Sequence, residues 1–159
     1  MRKIIPLILT AALALAGCSS IDCPLNNTVY MKIMLQGTNK PLADTLSVTT
    51  RKEVGKDSVF INRQVNTDSL MIPMSYKQDE DVLYFVVNTT TGRTFIDTVS
   101  IKKENQVHFE SMECQPSFFH TITDVRTTHN YIDSIVINNK EVNYDATKPH
   151  FHLYFGTRN

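Results

Sequence analysis

Apolar positions along this chain fall into two patterns. The first is one apolar run over residues 4–16, broken only by Pro6 and Thr10 and preceded by Arg2 and Lys3. It is too short to span a bilayer and has the length of a signal-peptide core, the one helix the chain predicts. The second pattern fills the rest of the chain with short apolar or alternating stretches separated by Gly, Pro, Asn and Asp. Such stretches read as strands. They predict strands over residues 28–36, 82–88, 94–102, 107–112, 132–137, 142–144 and 150–155. Thr90-Thr91-Gly92-Arg93 joins the second of these to the third as a hairpin. Residues 118–127 read both ways. Phe118, Ile122 and Val125 share a helical face, but the many β-branched residues, Thr121, Ile122, Thr123 and Val125 among them, favour a strand.

A triplet recurs within this pattern. Asp44-Thr45-Leu46, Asp57-Ser58-Val59, Asp68-Ser69-Leu70, Asp97-Thr98-Val99 and Asp133-Ser134-Ile135 share one form. Their spacing is irregular, which excludes a solenoid. Asp can bond nearby backbone amides in a turn, and the following aliphatic residues suit a buried strand, so each triplet marks where a strand begins. Nine or ten short strands without a helix predict an all-β, antiparallel β-sandwich, immunoglobulin-like or transthyretin-like in outline. The chain has no Trp, so the buried tryptophan of antibody-type domains is absent and only the outline is meant.

Leu15-Ala16-Gly17-Cys18 closes the N-terminal apolar run. Small residues ahead of a cysteine let the chain lie extended in a signal peptidase, and the thiol can be alkylated with diacylglycerol. The four residues resemble the bacterial lipoprotein lipobox. That resemblance implies a signal peptide over 1–17, lipidation of Cys18, a tether over 18–22 and one domain over 23–159. Cleavage leaves 142 residues, enough to bury a substantial core. It also removes two of the 16 basic residues against 16 acidic ones. The domain is then near neutral, which argues against nucleic acid and against polybasic lipid binding. Membrane association is expected through the acyl chains, several of which anchor far better than one.

With Cys18 acylated, Cys23 and Cys114 remain as an even pair in an oxidising compartment, and they read as a disulfide. Two free thiols or a transient redox pair are the alternatives, although no Cys-x-x-Cys is present. Zinc at this spacing is disfavoured.

Motifs for chemistry are sparse. There is no Gly-x-Ser-x-Gly elbow, and five glycines form no phosphate-cradling loop. Glu110 with Glu113, or Asp79-Glu80-Asp81, supplies paired carboxylates, the latter more simply read as a solvated acidic turn. His150 and His152, two apart on a strand, place both rings on one face. With His108, His120, Glu110 or Glu113 they could ligate a metal, but they alternate with Phe151, Leu153 and Phe155 and read as exposed polar positions. No cofactor, metal site or catalytic residue is assigned, and the chain is read as non-enzymatic. Sugar platforms would have to come from Tyr30, Tyr76, Tyr131 or Tyr144.

The five triplets carry a second reading. They resemble the acceptor motif for general O-glycosylation of exported proteins in some Gram-negative gut anaerobes, with Thr45, Ser58, Ser69, Thr98 and Ser134 as acceptors. Composition alone gives about one such triplet, so turn chemistry or glycosylation must account for the excess.

Four further stretches carry a family resemblance. They are Asp22-Cys23-Pro24-Leu25-Asn26-Asn27-Thr28, His108-Phe109-Glu110-Ser111-Met112-Glu113-Cys114, Phe118-Phe119-His120-Thr121-Ile122 and His150-Phe151-His152-Leu153-Tyr154-Phe155. The chain resembles an uncharacterised family of envelope lipoproteins from Gram-negative gut anaerobes. This resemblance implies a location, a lipid anchor in the outer membrane on its periplasmic or surface face, and no activity. The expected function is a non-catalytic, membrane-proximal interaction or assembly module with an envelope protein partner. The alternative is a lipoprotein that binds carbohydrate or cell-wall glycan.

Overall fold

A computed structural model of the chain describes residues 23–24, 27–51 and 57–156. The signal peptide, the Leu15-Ala16-Gly17-Cys18 motif and the 18–22 tether lie outside the described residues. The strands are β1 (Tyr30–Gln36), β2 (Thr45–Arg51), β3 (Asp57–Gln64), β4 (Ser69–Pro73) and β5 (Glu80–Asn88). They continue with β6 (Thr94–His108), β7 (Ser117–Thr127), β8 (Ile132–Ile137), β9 (Glu141–Val142) and β10 (Phe151–Phe155). No helix occurs among the described residues.

Alternation along the strands builds two facing sheets. Met31, Ile33 and Leu35 of β1 turn inward with Phe151, Leu153 and Phe155 of β10, while Tyr30, Lys32 and Met34 face outward. Leu83, Phe85 and Val87 of β5, with Val99 and Ile101 of β6, supply the opposing face. One sheet has the order β4-β1-β10-β8 and the other β3-β2-β5-β6-β7-β9. Their inner faces meet in one apolar core that includes Leu46, Val48, Leu70, Ile72, Ile122 and Ile132. This is an all-β sandwich, as the sequence pattern predicts. It departs from a purely antiparallel one, because β1 and β10 pair in parallel at the centre of the smaller sheet, Ile33 opposite Phe151 and Leu35 opposite Leu153.

One ambiguity is resolved and one expectation changes. Residues 118–127 form a strand, β7, so the β-branched residues prevail over the helical spacing. The strand expected over 107–112 does not exist separately. Strand β6 runs unbroken for 15 residues from Thr94 to His108, and residues 109–114 turn back toward β7. One bulge interrupts the register of the long pair: Lys102 faces Asp124 and Lys103 faces Ile122, leaving Thr123 as the extra residue on β7.

The sandwich therefore has two distinct ends. Strand β5 begins at Glu80, opposite Lys102, so β6 outruns it and continues beside β7 as a ribbon. At the other end β5 and β6 are joined by a tight turn closed by Thr89 and Arg93, with Gly92 at φ +85°.

Candidate functional site

The ribbon end is where the chain enters the fold. Cys23 is disulfide-bonded to Cys114, with the two Cα atoms 5.5 Å apart. That spacing lies in the ordinary range for a bridged pair. The pair expected from cysteine parity thus joins the first described residue to the segment between β6 and β7.

Beside the disulfide lies a cavity of about 320 Å³. Its wall includes Asn27 from the N-terminal segment, Met74 and Tyr76 after β4, Gln115 after Cys114, and Phe118 and His120 from β7. Tyr76 stacks on Phe118 with ring centroids 4.4 Å apart and stays half exposed at 53 %. Asn27 reaches Gln115 and the Pro116 carbonyl at 3.5 and 3.4 Å, closing the gap between the two sides of the disulfide.

Behind this wall is a buried polar cluster. Asp81 and Lys103 occupy inward positions, in phase with Leu83 on β5 and with Ile101 on β6, and meet at 2.8 Å. The Lys103 ammonium also donates to the Gln78 carbonyl at 2.9 Å, and Asp81 accepts the Ser75 backbone N–H at 3.3 Å. Asn105 donates through Nδ2 to the Gln78 carbonyl and to Asp79, so its Oδ1 is the acceptor facing His120 Nδ1 at 2.7 Å. His120 Nδ1 therefore carries the ring proton, and Nε2 carries the lone pair. Burial, reinforced by the nearby Lys103 charge and opposed by Asp81, lowers the His120 pKa to about 4. The ring is thus a neutral acceptor at the cavity wall.

Sequence reasoning missed this cluster. Asp79-Glu80-Asp81 was expected to be a solvated turn, but Asp81 is only 6 % exposed. The available signal was strand phase: counting by twos from Leu83 puts Asp81 on the core face, and counting from Ile101 puts Lys103 there.

The histidine expectation is also corrected. His150 precedes β10 and is fully buried, its Nδ1 accepting the Lys32 N–H at 2.8 Å while its own N–H donates to the Lys32 carbonyl at 2.8 Å. It serves as a side-chain extension of the β1–β10 pairing. Burial lowers its pKa, opposed by the Glu141 backbone and the Asp145 charge. His152 is half-buried on the outer face, so the two rings do not share a setting. His108 and Glu110 approach to 3.1 Å at the ribbon tip, and Glu113 lies beyond them on the turn. Among the described residues, no three His, Cys, Asp or Glu side chains converge as a metal set would.

The tyrosines separate in the same way. Tyr131 is buried at the far end, where its hydroxyl donates to Asp44, and burial with that hydrogen bond raises its pKa to about 12. Tyr144 shares a hydrogen bond with Ser117 and sets its ring edge against Phe119. Tyr30 is half-buried on β1, leaving Tyr76 as the tyrosine at the cavity.

Four of the five triplets lie at strand starts, whereas Asp97-Thr98-Val99 lies inside β6, which already begins at Thr94, and the acceptors fall into two structural settings. Ser58, Ser69 and Ser134 sit on β3, β4 and β8, each at an edge of its sheet. Thr45 and Thr98 sit on β2 and β6, strands that have a neighbour on each side, and their aspartates are engaged in the fold. Asp44 accepts the Thr90 N–H at 3.0 Å as well as the Tyr131 hydroxyl. Asp97, 1 % exposed, accepts the backbone N–H groups of Asn130, Tyr131 and Ile132 and the Thr128 hydroxyl, all within 2.8 Å.

A family model described as a family of unknown function, DUF6452, matches residues 45–155. The chain belongs to this family. The match spans β2 to β10 and includes Cys114, Asp81, Lys103 and His120, while Cys23 and β1 precede it. No curated protein and no solved structure matches the chain. Membership in DUF6452 therefore supplies kinship without an activity.

Proposed function

We propose that this DUF6452 protein is a non-catalytic lipoprotein of the cell envelope. Its sandwich acts close to the membrane as an interaction or assembly module for an envelope protein partner. The observation that carries this reading is the Cys23–Cys114 bridge, placed just after the Leu15-Ala16-Gly17-Cys18 motif. Four residues separate Cys18 from Cys23, and five residue steps extend at most roughly 17 Å. A domain stapled at Cys23 and acylated at Cys18 stays against its leaflet rather than reaching away on a stalk. Oxidising conditions suit both the bridge and an exported location. Fatty-acid labelling with intact mass of the native protein tests the anchor: a diacylglyceryl adduct on Cys18 is expected, and it disappears in Cys18→Ala. A native protein that starts after residue 18 and carries no lipid overturns the proposal.

The second reading, binding of carbohydrate or cell-wall glycan, draws support from the cavity. Tyr76 offers a partly exposed ring, Asn27 and Gln115 offer amides, and His120 offers a neutral acceptor, a mixture that suits a hydroxyl-rich ligand. A cell-wall pull-down set against crosslinking to envelope proteins separates the two readings. Retention on glycan that is lost in Tyr76→Ala favours the second.

A further inference from the structure

The tip of the β6–β7 ribbon carries an apolar surface that the fold leaves uncovered. Val107 is 55 % exposed, Phe109 61 % and Met112 102 %. These residues do not fill the core, and their exposure is built into the turn. The Cys114 N–H donates back to the Ser111 carbonyl at 3.2 Å, and the Glu113 N–H to the Ser111 hydroxyl at 3.3 Å. The backbone thus bonds to itself while Phe109 and Met112 project outward.

Exposure alone does not name a partner; the position of this tip does. Met112 is two residues from Cys114, and Cys114 is bonded to Cys23. The tip is therefore tied to the point where the chain leaves for Cys18, at most roughly 17 Å of extended backbone away. We propose that the tip is a wedge that seats Val107, Phe109 and Met112 in the interfacial layer of the membrane holding the acyl chains. This rests on the lipid-anchor reading above. A protein partner at the tip would have to fit within the short gap between domain and leaflet, whereas the lipid surface already lies there.

The charges near the tip set the depth. Glu110 is hydrogen-bonded to His108 at 3.1 Å, but Glu113 follows Met112 directly. Carboxylates stay at headgroup level, so the wedge enters the boundary of headgroups and chains rather than the hydrocarbon centre, about 5–10 Å deep as for interfacial helices. Acyl chains and wedge together would fix the domain's tilt, which a single flexible attachment leaves free.

The chain has no Trp, so Phe109→Trp introduces a lone indole that can be excited apart from the tyrosines. The full-length, lipidated variant is reconstituted in vesicles of phosphatidylethanolamine and phosphatidylglycerol with brominated acyl chains. Its indole emission should shift to the blue and be quenched more by bromines at shallow chain positions than by bromines near the chain ends, as interfacial depth requires. Met112→Trp should behave alike. Ile96→Trp, on an exposed position at the other end of β6, should remain unquenched. Unchanged melting temperatures confirm that these exposed replacements fold. If the lipidated protein floats with vesicles while the indoles at 109 and 112 are quenched no more than that at 96, the wedge is overturned and the anchor stands. If wild type does not float with vesicles, the anchor reading falls and the wedge falls with it.

Discussion

Lys103 Nζ lies 2.8 Å from the Asp81 carboxylate, with the lysine side chain wholly withdrawn from solvent. The pair joins β5 to β6 at the base of the ribbon, where the larger sheet narrows to two strands and β9. Removing one partner strands a buried charge, whereas replacing both with apolar groups removes the desolvation cost as well. Lys103→Met should therefore destabilise the fold by about 3–5 kcal/mol. The double variant Asp81→Leu/Lys103→Met should be less destabilised than either single variant. Urea unfolding measures both, and a Lys103→Met protein as stable as wild type would show that water already reaches the pair.

His120 makes stability depend on pH. Its pKa falls from 6.5 to about 4 in the fold, mainly through burial. Below pH 6.5 the unfolded chain takes up the proton first, so folding loses stability as pH falls, and the loss levels off near pH 4. One such group contributes a slope of up to about 1.4 kcal/mol per pH unit. His150, whose pKa is also lowered, acts in the same direction. The check is the difference between wild type and His120→Gln in urea unfolding between pH 7 and pH 4. The variant should show the shallower loss. Parallel curves would mean that His120 protonates freely in the folded protein.

The strand map was largely legible because a two-sheet core imposes period two on every strand that crosses it. Met31, Ile33 and Leu35, or Leu83, Phe85 and Val87, cannot all be buried in any other register. Legibility failed where a side chain answers to a distant segment. Lys102-Lys103-Glu104-Asn105-Gln106 looks like a break between strands, but β7 carries β6 straight through it. His150 looks exposed by alternation with Phe151, but it precedes the strand and its ring is turned onto the β1 backbone. The cavity draws on residues 27–29, 74–76 and 115–120, which only the folded chain brings together. The disulfide is legible without geometry, because reading Cys18 as a lipid site leaves an even pair of cysteines.

The Cys23–Cys114 bridge closes a sequence separation of 91. Chain-entropy reasoning gives a loop of that length about 4–5 kcal/mol, an upper figure because denatured chains retain structure. That is a large share of the roughly 5–15 kcal/mol typical of a domain. Cys114→Ser should lower the melting temperature markedly while leaving any adduct on Cys18 intact. Non-reducing peptide mapping of wild type should recover the linked pair. Two alkylatable thiols in the native, unreduced protein would remove the staple from the account.

The aspartates of the five triplets allow turn chemistry to be weighed against glycan acceptance. Asp97 is buried and accepts four hydrogen bonds from residues 128–132, three of them backbone N–H groups that would otherwise be left unpaired. Hydrogen bonds to a charged group contribute about 1.5–3 kcal/mol each but do not add fully, so Asp97→Ala should cost at least about 3–5 kcal/mol. Asp133 and Asp68 are exposed, on or beside edge strands, and their Ala variants should lie within about 0.5–1 kcal/mol of wild type. Glycan attachment should sort the opposite way. A transferase needs an approachable hydroxyl, which favours Ser58, Ser69 and Ser134 at sheet edges over Thr45 and Thr98 within the larger sheet. Intact mass of the native protein should therefore exceed polypeptide plus lipid, and Ser→Ala at the edge positions should remove the excess stepwise. Excess mass that survives all three edge substitutions but vanishes with Thr45→Ala or Thr98→Ala would refute the edge rule. A native mass accounted for by polypeptide and lipid alone would leave strand-start chemistry as the sole reason for the triplets.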